Sequence, residues 1–283
     1  MTTVEIRVKW DVYVAPGVPT DSRNVAPGET RNIWSPISST LIYGERDAVL
    51  VDPLLTTKQA EALCVWVAGH HKRVTTIYAT HGHGDHFFGA TTILERFHSA
   101  RFVATPGVIE IMRRQISGRL EEFWNRSFPG QLAAHPAIAE ALTGEIELEG
   151  HALVPIEVGH TDTDNTTVLH APDIGLVVAG DVVYNDVHVF LAESDHQTRQ
   201  EWLEALYTVA RLDPRAVIAG HKRPGTDDDP RIIGETQQYI RDFDRLADAT
   251  ATARKLYDRM LALYPDRVNP NALWLSALGV KRA

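Results

Sequence analysis

The stretch Thr80-His81-Gly82-His83-Gly84-Asp85-His86 decides how this chain is read. Three imidazoles and one carboxylate fall within six consecutive positions. They follow Val74-Thr75-Thr76-Ile77-Tyr78-Ala79, a short run of β-branched and aromatic residues with the character of a strand. After His86, the apolar residues Phe87, Phe88, Ala90, Ile93, Leu94 and Phe97 recur at helical spacing. The cluster is therefore expected on a strand-to-helix loop. His81 and His83, two apart in extended chain, can point the same way, while Asp85 and His86 turn toward a second point as the helix begins. Gly82 and Gly84 are expected to free the backbone for that convergence. Neutral imidazole and carboxylate suit zinc and its first-row neighbours. Solvated loop histidines are the plain alternative, and four metal-competent side chains in HxHxDH order argue against it.

The motif resembles that of the metallo-β-lactamase superfamily, whose fold is an αββα sandwich. The resemblance calls for three further ligands, and candidates follow in order. His160 stands in Val158-Gly159-His160-Thr161, Asp181 ends Val177-Val178-Ala179-Gly180-Asp181, and His221 ends Ala216-Val217-Ile218-Ala219-Gly220-His221. Each closes an expected strand, where the loops of a layered fold gather into one rim. The resemblance spans about residues 35–225. It implies a first metal on His81, His83 and His160, a second on Asp85, His86 and His221, Asp181 as bridge, and a bridging hydroxide. Two divalent ions are expected, zinc first, with iron or manganese as alternatives.

Composition sets the frame. The chain has 283 residues, 44% of them hydrophobic, enough for a large core, and is expected to form one domain of the α/β class. A net charge of −9 argues against nucleic acid, whose phosphates need basic patches. The single cysteine, Cys64, excludes an internal disulfide and fits a helix core. Without an apolar signal core or a run of about 18 apolar residues, neither export nor a membrane span is expected, and the cytoplasm follows as the compartment.

Along the chain, residues 4–14 alternate as a strand, and 15–32 form a polar, Pro- and Gly-containing loop of the kind that often lies over the cleft in this family. A hairpin follows over 33–51, closed by Asp52, which the resemblance implies supports the metal loop. A helix is expected over 57–70. Residues 105–144 form a largely helical insertion, a candidate cap over the substrate, with Met112, Phe123, Trp124 and Phe128 either lining it or packing its helices. Two strands follow over 146–158. Asp162, Asp164 and Asn165 either hold His160 and its loop or form turns. Helices are expected over 197–211 and 231–263. The tail carries Leu273, Trp274, Leu275 and Leu278, which need cover from the body of the domain or from a second copy; a homo-oligomer through the C-terminal helices is one solution.

The expected activity is hydrolysis of a small-molecule ester, lactone or thioester. A metal pair lowers the pKa of bound water from ~15.7 toward ~7. Asp85 and Tyr184 are the catalytic candidates: Asp85 as proton shuttle, Tyr184 as donor to the substrate carbonyl. The role of Tyr184 rests on an offset of three from Asp181, as in acyl-homoserine lactonases, against packing behind the loop. A β-lactam substrate is the alternative within hydrolysis, although zinc β-lactamases place Cys where this chain has Asp181. An iron oxidoreductase of the sulfur dioxygenase kind is the alternative outside it. His83 speaks against a flavo-diiron enzyme, which places a carboxylate there. His188, Lys222 and Arg223 are rim candidates.

Overall fold

The structure is a computed structural model that describes residues 8–281. The opening strand is β1 (Lys9–Ala15), and the portion expected before Val8 lies outside the described residues. A small hairpin follows, β2 (Pro19–Thr20) with β3 (Asn32–Ile33). The first large sheet runs β1, β4 (Ile37–Tyr43), β5 (Asp47–Val51), β6 (Arg73–Tyr78), β7 (Arg101–Ala104), β8 (Glu140–Ala141). The second runs β9 (Ile146–Leu148), β10 (His151–Gly159), β11 (Thr166–Ala171), β12 (Leu176–Asn185), β13 (Ala216–Lys222).

Helices occur where parallel neighbours demand a crossover. The β5–β6 pair is bridged by α1 (Thr57–Ala68) and β6–β7 by α2 (Ala90–Arg96). The β7–β8 crossover carries α3 (Pro106–Arg114), a π-helical stretch (Gln115–Trp124) and a last turn, α4 (Asn125–Ser127). The β12–β13 crossover is α5 (His196–Arg211). Capping boxes start α1 (Thr56 with Gln59) and α5 (Asp195 with Thr198).

Four layers result, and side-chain alternation shows why. Val49 and Val51 of β5 face the second sheet, packing with Leu169, Val178 and Ile218, while Ala48 and Leu50 face Leu63 and Val67 of α1. In β12, Val178 points to the first sheet and Val177 and Ala179 to the outer helices. A strand covered on both faces must be apolar throughout, which is why these segments read as continuous hydrophobic runs. The αββα sandwich expected from the motif is the fold observed.

One expectation is refined, and one left open is answered for part of the tail. The helix expected over 231–263 is two, α6 (Arg231–Ala249) and α7 (Ala253–Leu263). Thr250 takes extended backbone and Thr252 accepts from the Lys255 N–H, capping the second helix. The tail forms α8 (Pro270–Val280), with Leu273 and Ala277 buried in the same core as α6 and α7. Among the described residues, no helix is long and apolar enough to cross a membrane.

Candidate metal centre

Strand β6 ends at Tyr78, and everything from Ala79 to Ala90 is buried. A chain of hydrogen bonds fixes this loop to the second sheet. Tyr78 Oη lies 2.6 Å from Thr167 Oγ1, which donates to the Thr80 carbonyl at 2.7 Å, and the Thr167 amide donates to the same oxygen. Gly82 and Gly84 serve differently from expectation. Neither has positive φ. Instead, a Cβ on Gly82 would stand 2.5 Å from Ile111 Cβ, and one on Gly84 2.5 Å from the Phe88 ring. Close packing, not unusual backbone angles, requires glycine there.

The hydrogen-bond partners of the imidazoles set their tautomers. His86 Nδ1 lies 3.1 Å from Asp52 Oδ2, His221 Nδ1 2.8 Å from the Pro36 carbonyl, and His160 Nδ1 2.7 Å from Asp164 Oδ1. Each partner is an acceptor, so each Nδ1 carries the proton and each Nε2 presents a lone pair. His81 Nδ1 lies 3.0 Å from Thr80 Oγ1, whose own proton goes to Asp52 Oδ2, with the same result. The Nε2 atoms of His81, His86 and His160 are buried without a hydrogen-bond partner. Buried lone pairs left unmatched are costly, and those of His81 and His86, whose ring centroids lie 4.2 Å apart, suit a cation.

Donor atoms within 4.8 Å of one another form three sets among the described residues: Asp52, His81 and His86; His81, His83 and Asp162; and Asp85, His86 and His221. The first is already satisfied. Asp52 Oδ1 accepts the Thr80 amide and Oδ2 accepts both the Thr80 hydroxyl and His86 Nδ1, so Asp52 props the loop as the resemblance implied. The other two sets, all nitrogen and oxygen, fit divalent cations. Asp181 places Oδ1 3.1 Å from His86 Nε2 and Oδ2 3.2 Å from His221 Nε2. Its charge is also felt at His81 and Asp162 in the other set. His160 belongs to none of the three sets. Asp164 holds it, as one sequence reading had it, whereas Asp162 turns to His83 Nδ1 at 2.6 Å and His81 Nε2 at 3.6 Å.

The electrostatics follow from packing carboxylates among imidazoles out of water. Burial disfavours charge throughout. At His81 it prevails and lowers the pKa. At His83, Asp162 and Glu193 overrule burial and raise it; at His86, Asp181 and Asp85 do so; and His221 rises to about 10 through Asp181 and Asp85. Against the same burial, His86 and His221 hold Asp85 and Asp181 low. Asp85 and Asp181 are thus ionised, as a cation requires, and a cation would take the place of the proton that the raised histidines otherwise hold at Nε2.

The Gly-ligand steps at Gly180-Asp181 and Gly220-His221 have a shared cause. A Cβ on Gly180 would meet Thr80 Oγ1 at 2.3 Å, and one on Gly220 would meet Asp181 Oδ1 at 2.1 Å. The two strands approach the motif loop and each other too closely for any side chain.

A cavity opens beside the centre, lined by His83, Asp85, Asp162, Asp181, Tyr184 and His221 at its floor. Tyr184 is 1% exposed and donates to Asp181 Oδ2 at 2.7 Å. Phe123 and Trp124 form a wall, as does Leu275 of α8, whereas Met112 and Phe128 are buried in the core. The polar loop contributes Thr20, Ser22 and Asn24. His188 is buried against Tyr239 Oη, Lys222 pairs with Asp228, Arg223 lies 3.7 Å from Asp186, and none of the three lines the cavity. Trp34, without a role in the sequence reading, donates its indole N–H to Asp85 Oδ2 at 2.8 Å. Glu193 and Arg119, paired at 2.6 Å, were equally silent.

Residues 32–221 match the family model described as the metallo-beta-lactamase superfamily. No curated protein matches the chain. Among solved structures, it is similar to a metallo-beta-lactamase family protein from Thermus thermophilus, with 20% identity over 95% of this chain and 91% of that one and a TM-score of 0.63. A beta-lactamase domain protein from Burkholderia ambifaria has 15% identity, covers 96% and 85%, and has a TM-score of 0.62. A metallo-beta-lactamase from Pontibacter korlensis has 16% identity, covers 84% and 99%, and has a TM-score of 0.59.

Proposed function

The chain belongs to the metallo-β-lactamase superfamily, and from that premise we infer that it is a binuclear metal-dependent hydrolase of a small ester, lactone or thioester. The observation that carries the reading is the pair of His/Asp donor sets, with preset tautomers, on the floor of a cavity walled by Phe123, Trp124 and Leu275. Divalent ions there, zinc foremost, would supply Lewis acidity and a water acidified toward neutral pH. His81 and His83 would serve one ion, Asp85, His86 and His221 the other, with Asp181 between.

The chain's own groups supply the rest. Tyr184 Oη, a proton donor whose pKa burial and then Asp181 raise well above the ordinary range, stays protonated; its O–H donates to Asp181 Oδ2 and would turn from there to a substrate carbonyl. Asp85, ionised and held at Oδ2 by the Trp34 N–H, would take a proton from the attacking water and pass it to the leaving group. The aromatic wall excludes water and favours an apolar acyl chain. No serine or cysteine nucleophile is required.

The test is a panel of lactones, esters and thioesters, with a β-lactam included, assayed anaerobically on zinc-loaded protein. Turnover of an acyl substrate is expected. Activity appearing only with iron and consuming oxygen would replace hydrolysis by the dioxygenase alternative.

A further inference from the structure

The turn after β10 carries two candidates for the first ion's third ligand, and their surroundings differ. His160 closes the strand, its side chain 12% exposed, with Nδ1 drawn to Asp164 and Nε2 buried without a hydrogen-bond partner, yet it falls in none of the donor sets that contain His81 and His83. Asp162 is 1% exposed. Its Oδ1 accepts the Thr161 hydroxyl at 2.9 Å, which fixes the carboxylate plane. Its Oδ2 is buried without a hydrogen-bond partner, 2.6 Å from His83 Nδ1 and 3.6 Å from His81 Nε2. A fully desolvated carboxylate oxygen between two imidazole nitrogens is unfavourable unless a cation or proton lies among them.

The backbone explains why the aspartate enters. The register of β10 against β11 slips between Glu157 and Gly159, and Gly159 takes φ +85°. The Thr161 amide then donates to the Thr163 carbonyl at 2.9 Å, a tight turn with Asp162 at its apex. Asn165, at φ +57°, returns the chain to β11.

We propose that Asp162 is a metal ligand, completing a two-histidine, one-carboxylate set with His81 and His83, and that His160 stands outside that set. The centre then has matched halves, each with two imidazoles and one carboxylate, on either side of Asp181. The ligand class is a divalent first-row cation. Replacing an imidazole by a carboxylate hardens the first site and favours oxygen-preferring ions such as Mn²⁺ or Fe²⁺ more than a three-histidine site would.

The inference rests on the metal-binding part of the proposed function and not on the reaction, and its test does not read activity. Wild type, Asp162→Ala, Asp162→Asn and His160→Ala would be stripped, reloaded with Co²⁺ or Zn²⁺, and measured by elemental analysis, calorimetric titration and cobalt absorption. Circular dichroism checks folding. Asn keeps the shape of Asp, so Asp162→Asn serves if the alanine variant does not fold. Wild-type stoichiometry in His160→Ala, with one ion lost or its affinity lowered at least about 10-fold in the Asp162 variants, is the expected result. Full wild-type affinity in both Asp162 variants, or loss of an ion from His160→Ala, would overturn it. A wild type that binds two ions yet hydrolyses nothing in the panel would refute the hydrolase reading and leave Asp162 in place.

Discussion

Asp52→Asn should disable metal binding without touching a single proposed ligand. Asp52 Oδ2 accepts two hydrogen bonds, from the Thr80 hydroxyl at 2.8 Å and from His86 Nδ1 at 3.1 Å, in a site 2% exposed. If the amide keeps its oxygen on the Thr80 N–H, it presents NH₂ to both of those donors. The Thr80 hydroxyl must then accept and turn its own proton to His81 Nδ1, 3.0 Å away. His86 Nδ1 must accept as well. Both rings are driven to the tautomer with the proton on Nε2, where the lone pair for a cation had been. Two charge-assisted bonds at about 1.5–3 kcal/mol each place the stability cost near 3–6 kcal/mol. Metal affinity should fall about 10- to 100-fold, the scale for losing a partner that orients a ligand. Nitrogen-15 NMR reads the tautomers of His81 and His86 directly, and calorimetric titration reads the affinity. Unchanged tautomers together with wild-type affinity would refute the chain of proton positions on which the centre was built.

Three further outcomes are expected. Tyr184→Phe should lower kcat about 10- to 1000-fold with metal content intact, the scale of a lost oxyanion donor; unchanged kinetics on a good substrate would return Tyr184 to packing. Gly220→Ala should displace Asp181, since a Cβ would stand 2.1 Å from its Oδ1, and cost about 100-fold in turnover, as misplacement by an ångström does; wild-type activity would show that the strand gives way freely. Burial, then the charge of Arg267, holds the pKa of His188 at about 3. An unfolded histidine titrates near ~6.5, so below that pH the unfolded chain binds a proton that the folded one does not, and stability falls as pH drops toward 3. The ceiling is about 5 kcal/mol at ~1.36 kcal/mol per pH unit. Urea melts of His188→Gln should therefore show a flatter acid limb, and identical limbs in the two proteins would refute the assignment.

What the sequence made legible was whatever is local. The HxHxDH stretch places four donors on one loop, and β-branched runs covered on both faces announce their strands without reference to any partner. Asp181 and His221 were singled out by the order of ligands that the resemblance implies, each after an apolar run and a glycine, and the structure sets Asp181 beside both His86 and His221. Contacts between distant positions were not legible. Trp34 meets Asp85 across 51 residues, and no periodicity marks an indole that will donate to a carboxylate. Asp162 and Asp164 were indistinguishable as two acids in a turn, because one bulge and one glycine decide which faces inward. The π-helical stretch that brings Phe123 and Trp124 to the cavity has the same apolar spacing as an ordinary helix.

Trp34 also stands where an indole would sense both the donor cluster and the cavity. Its indole N–H is bonded to Asp85, and its ring contacts those of Phe123, Trp124 and Phe128, with centroids 6.2, 5.5 and 5.4 Å away. A cation drawing charge from Asp85 weakens the field on the indole from one side. An acyl chain entering along Phe123 and Trp124 dries it from the other. Emission from Trp34, read in a variant that keeps it as the only one of the six tryptophans, would therefore respond to a cation at Asp85 and to a ligand in the cavity.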